Sequence, residues 1–175
     1  MENFMKDYFK ILGFVLLSEV LCLFINLTLA FSPSVVIRII TAVCTVGILV
    51  GLMAQAGHSI GTADRKRLKQ DENAVRASKP LFLGMTASMP FLILWIFLLL
   101  AKLGSIDGGF YRVYKLLCAP FLQVCNLICD DVYAQALPVF GMVVLAICSL
   151  VPYLAVVISY RMTLRGENVE KLMYE

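Results

Sequence analysis

"FYRVYKLLCAPFLQVCNLIC", residues 110–129, decides how this chain is threaded. Twenty mostly apolar residues are enough to cross a bilayer core of ~30 Å as a helix. If these did so, everything after them would change sides. The stretch also carries Arg112, Lys115, Gln123 and Asn126, and Pro120 interrupts it. Proline removes a backbone donor and crowds the preceding turn. Phe110, Tyr111 and Tyr114 suit the headgroup level, where aromatic rings concentrate. We read 110–129 as an interfacial or re-entrant helix packed on the outer side, with a five-span chain as the alternative.

On either side of this stretch the composition is that of a membrane protein. Of 175 residues, 61% are hydrophobic and 15% charged, against ~25% charged in soluble domains. Mean hydropathy is +0.87. Four windows, about 9–31, 34–56, 81–103 and 138–160, supply the ~20 apolar residues that a spanning helix needs. The first offers a weak cleavage site in "LTLAF". Its apolar run exceeds the ~7–15 residues of a signal sequence, so we expect a retained helix. The fold expected is an all-α integral membrane protein, a helix bundle forming one polytopic domain over 1–175.

Lysine and arginine orient it. A basic loop, 57–80, holds Arg65, Lys66, Arg67, Lys69, Arg76 and Lys79; Lys6 and Lys10 precede the first span, and Arg161, Arg165 and Lys171 follow the fourth. The opposite side has Lys102, Arg112 and Lys115, in the segment 104–137. Eleven positive residues against three places both termini and the 57–80 loop in the cytoplasm by the positive-inside rule, with the tail 161–175 beside them. The cell membrane is the expected location. Within the loop, 64–77 reads as a short helix capped by Thr62 or Asp64, a handle for anionic lipid or, more simply, an ordinary stop-transfer loop. "FSPS", 31–34, is the tight link between spans 1 and 2, with Pro33 suited to the first helical position.

Inside the first span lies Glu19. At ~1.5 Å per residue from residue 9 it sits ~15 Å deep, near the midplane. Arg38 is offset from it by ~12 Å along the axis, and the two side chains lean apart. A direct bridge is therefore not expected. Instead Arg38 snorkels outward, level with Asn26, as an outer-leaflet polar pair. Level with Glu19 are Thr45, Ser88 and Ser149, and Pro90 and Pro152 are expected to kink spans 3 and 4 there. A protonated Glu19 donating into this polar layer is the expectation. Small-xxx-small pairs, Gly47–Gly51 and Gly84–Ser88, mark helix contacts. "AVCTV" (42–46) is echoed by "AICSL" (146–150), a faint hint of two related hairpins.

Chemistry-bearing motifs are few. The six cysteines form no CxxC pair, and those within spans serve as small apolar residues. His58, the one histidine, brings no ligand set for a metal. Asp130 and Asp131 are adjacent, so they do not share a helix face, and they suit a capping or headgroup-level role. No catalytic residue, cofactor or metal site is expected, and no basic arm for nucleic acid. The partners expected are the lipid bilayer and other membrane subunits or further copies of the chain. The leading functional expectation is a non-catalytic accessory or scaffold subunit packing on partner helices. The alternative is a small oligomeric transporter or proton-linked carrier that uses Glu19.

Overall fold

A computed structural model describes residues 2–29, 34–68 and 78–166, with side chains from residue 5 onward. The chain is all-α among these residues. Its elements are α1 (Glu2–Leu29), α2 (Val35–Leu68), α3 (Lys79–Lys102), α4 (Phe110–Leu117), a 3-10 turn (Ala119–Phe121), α5 (Leu122–Ile128), a second 3-10 turn (Ala134–Ala136) and α6 (Val139–Arg165). Four of them, α1, α2, α3 and α6, are long and apolar enough to cross a membrane. The protein is an all-α membrane protein.

Helix ends follow from local chemistry. α3 stops where Gly104 takes φ +79°, with Ser105 N–H on the Leu100 carbonyl and Gly104 N–H on that of Ala101. This is a Schellman cap, and its left-handed residue is a glycine because no Cβ has to be accommodated. The start of α2 is less local. It begins at Val35, and Pro33 lies outside the described residues, as do 69–77 and 167–175.

One expectation about α2 is overturned. The helix does not end near 56 to let a second one start at Thr62 or Asp64; it continues unbroken to Leu68. Thr62 is no cap, since its hydroxyl donates back to the His58 carbonyl at 2.9 Å. The change from apolar to polar residues marks where hydrocarbon would end, not where the helix does.

Contacts divide the chain into two compact units, and each long helix contributes residues to both. The unit built from 1–15, 50–88 and 151–175 packs by close helix approach. A Cβ on Gly57 would lie 2.7 Å from the Val156 carbonyl oxygen, one on Gly61 3.0 Å from the Thr163 Cβ, and one on Gly84 2.7 Å from the Tyr153 ring. Gly57 and Gly61 thus form the small-xxx-small pair that seats α2 on α6, and Gly84 with Ser88 seats α3 there. The expected Gly47–Gly51 contact is not made among the described residues, because a Cβ at either position meets none of their atoms within 4 Å. Ser88 Oγ accepts the Tyr153 N–H at 2.9 Å, so α3 supplies a side chain to the backbone just after Pro152. Both Pro90 and Pro152 lie inside their helices.

The unit built from 16–49 and 89–150 contains everything from the end of α3 to the start of α6. α4 and α5 form a hairpin broken at Cys118, where φ and ψ leave the helical region. Phe121 at the break meets Phe91 edge-on, ring centroids 5.5 Å apart. Trp95 Nε1 donates to the Met142 carbonyl at 3.0 Å, and Lys102 donates to that of Leu137.

These glycines make a paired expectation. Gly57→Ala should destabilise the detergent-solubilised protein by about 1–3 kcal/mol through overpacking. Gly47→Ala should be neutral or gain up to ~1 kcal/mol of helix propensity. Unfolding titrations of the two variants measure both signs.

Candidate functional site

The break between α4 and α5 leaves backbone groups that no helix can satisfy. Ala119 opens the 3-10 turn, so its N–H has no intrahelical acceptor. Pro120 has no N–H. Side chains of α1 and α2 meet these groups one by one. Glu19 Oε2 accepts the Ala119 N–H at 2.9 Å. Asn26 Nδ2 donates to the Ala119 carbonyl at 2.9 Å. Thr45 Oγ1 donates to the Pro120 carbonyl at 2.9 Å. Gln123 Nε2 then donates to Asn26 Oδ1 at 3.0 Å, closing a loop from the hairpin back onto α1.

The supports are themselves fixed. Asn26 Nδ2 also reaches the Cys22 carbonyl at 2.8 Å, and Cys22 Sγ donates to the Thr45 carbonyl at 3.4 Å. Asn26, Thr45 and Cys22 are buried, so each bond is made away from solvent, where an unmade one costs most. Lower in the hairpin, Tyr111 Oη donates to the Cys125 carbonyl at 3.1 Å. Lys115 Nζ donates to the carbonyls of Cys129 and Asp131 at 3.1 and 2.9 Å, and lies 4.4 Å over the Tyr111 ring. Within the clamp, Glu19 Oε1 and Gln123 Oε1 are buried without a hydrogen-bond partner among the described residues.

The expected polar layer is therefore rearranged. Glu19 and Thr45 do converge, but on neighbouring residues of the hairpin rather than on each other. Glu19 Oε2 is an acceptor there, because the backbone N–H at a helix start can only donate. Ser149 bonds locally, to the Leu145 carbonyl at 2.9 Å, and Ser88 belongs to the other unit, on Tyr153. Asn26 and Arg38, expected at one level, line the same cavity, and each has a bond elsewhere. Arg38 meets Asp130, Nη1 to Oδ2 at 3.0 Å with both side chains partly exposed, a kind of contact worth about 0–1 kcal/mol.

A second polar cluster lay hidden in what reads as a loop. Asp64, 1% exposed, accepts from Tyr160 Oη at 2.8 Å and from Lys79 Nζ at 2.6 Å. Lys79 also pairs with Asp7 at 2.7 Å. This cluster ties α1, α2, α3 and α6 together within one unit. The signal for it was present: Asp64 falls seven residues beyond Gly57, on the continuing face of α2. His58 Nδ1 is 2.9 Å from Thr163 Oγ1. Among the described residues, no group of three or more His, Cys, Asp or Glu is placed to hold a metal ion.

The hairpin clamp makes a direct expectation. Glu19→Leu strands the Ala119 N–H and should destabilise by about 1–3 kcal/mol, whereas Glu19→Gln keeps an acceptor there and should lose less than half of that. Denaturation of both purified variants in one detergent measures the difference.

Compared with protein-family models, curated proteins and solved structures, the chain matches none.

Proposed function

We propose that this is a multi-pass membrane protein with both termini cytoplasmic, acting as a non-catalytic accessory or scaffold subunit that packs on partner helices. The observation that carries this reading is the clamp on the hairpin. Glu19, Asn26 and Thr45, three polar residues of the first two spans, are engaged in holding backbone. Such residues inside a membrane are functional by default unless a structural partner accounts for them, and here each has one. The open face at Gly47 and Gly51 offers α2 to a further helix, since small residues let backbones approach. The lysine and arginine bias supports the orientation.

A second reading, a small oligomeric proton-linked carrier, is favoured by one specific feature. Glu19 stands at the start of a broken helix with its second oxygen, Oε1, buried and unpartnered. Broken helices near the midplane are typical of transport sites.

Reconstituted Glu19→Gln and Glu19→Leu separate the two. The scaffold reading expects Glu19→Gln to assemble normally, with proton flux unchanged from protein-free vesicles in wild type and variant alike. Flux present in the wild type and abolished by Glu19→Gln, with assembly intact, rules that reading out in favour of the carrier. For topology, Ser78→Cys and Asp107→Cys in a cysteine-free background should react with an impermeant maleimide from opposite sides. Labelling of Ser78→Cys from outside the cell overturns the orientation.

A further inference from the structure

A cavity of about 140 Å³ opens beside the hairpin, lined by residues of α1, α2, α4 and α5. It is close in size to cavities of ~150 Å³ that hold a benzene-sized molecule. Its floor is polar: Asn26, Thr41 and Gln123 line it and are buried. Arg38 and Asn126 line it as well, half-buried. Its rim is apolar and exposed, including Leu27 and Leu116. A polar floor under an apolar rim is the shape of a site for an amphiphile.

Two unmet demands define the head of that amphiphile. Gln123 is 5% exposed; its Nε2 is committed to Asn26 while its Oε1 has no partner, so the cavity lacks a donor. Among the described residues Arg38 meets Asp130 through Nη1, and a guanidinium has five N–H donors, so the cavity also has room for an anion. Asp130 opposes a dianion and tolerates a monoanion. Position adds a third constraint. Asn26 lies in the last turn of α1 and Arg38 in the first turn of α2, at the ends of spanning helices, where lipid phosphates lie.

We propose that this cavity binds the phosphodiester headgroup of a membrane lipid whose head carries a hydroxyl or ammonium donor. Arg38 donates to the phosphate oxygens, as guanidinium groups do to phosphate, and the amide of Asn126, which lines the same cavity, donates beside it. The head's donor meets Gln123 Oε1, and the first carbons of an acyl chain run over the exposed leucines.

The test uses the whole protein in nanodiscs of equal parts phosphatidylcholine, phosphatidylethanolamine and phosphatidylglycerol, released into mild detergent, with retained lipid identified by native mass spectrometry. The ethanolamine or glycerol lipid should be enriched about tenfold over the choline lipid, which has the phosphate but no donor; one added hydrogen bond suffices for that factor. Arg38→Gln and Asn126→Leu should abolish the enrichment, while Arg112→Gln, exposed and outside the cavity, should keep it. Asn126→Leu leaves the Arg38–Asp130 contact in place, so it decides the matter if Arg38→Gln fails to fold. Equal retention of the three lipids, or enrichment that survives Asn126→Leu, overturns the proposal. Displacement of the lipid by millimolar inorganic phosphate also overturns it, by assigning the site to the free anion.

Discussion

A backbone N–H or carbonyl in hydrocarbon must find a partner within the protein, because no water is there to serve. A continuous helix meets this demand by itself. A helix that breaks does not, and the chain breaks one at Cys118–Phe121. Three polar residues of α1 and α2 meet that requirement. Glu19 answers the Ala119 N–H, Asn26 its carbonyl, and Thr45 the carbonyl of Pro120. The hairpin and the first two helices are in this sense one object, each unintelligible without the other.

The other unit solves a different problem with different residues. There the helices approach so closely that a β-carbon would collide, at Gly57, Gly61 and Gly84. Close approach brings Tyr160 within 2.8 Å of Asp64 and lets Ser159 Oγ reach the Ala54 carbonyl at 2.6 Å. Glycines and the Asp64 cluster therefore work together: the first set the distance, the second fills it with hydrogen bonds. A buried carboxylate would be costly alone, and here it has a hydroxyl and an ammonium group.

Much of this was legible in residue order. Four apolar windows sufficed to place the four long helices, because ~20 apolar residues have few other uses. The break at Pro120 and the polar residues around it were enough to set 110–129 apart from a spanning helix. Glu19 was visible as a carboxylate inside an apolar run. What was not legible was what each polar side chain would bond. Glu19 meets Ala119 across 100 residues, and nothing local to either position announces the other. The Asp64 cluster was missed for a related reason: hydropathy reports the solvent around a helix, and α2 outlasts its apolar part by a dozen residues. Gly47 and Gly51 matched a contact motif that no other described residue fills, since the motif records small size and not which neighbour arrives.

The sequence separation of the clamp also sets an order of events. Ribosomes add about 5–20 residues per second, so Ala119 is made some 5–20 s after Glu19. By then α1 and α2 have had time to insert and present their acceptors and donors. The hairpin break, which on its own would be a poor guest in lipid, enters a membrane where its partners are already waiting. A permuted chain that made residues 110–128 before α1 would hold identical contacts in its final state, yet it would have to carry an unsatisfied break through the bilayer to reach them.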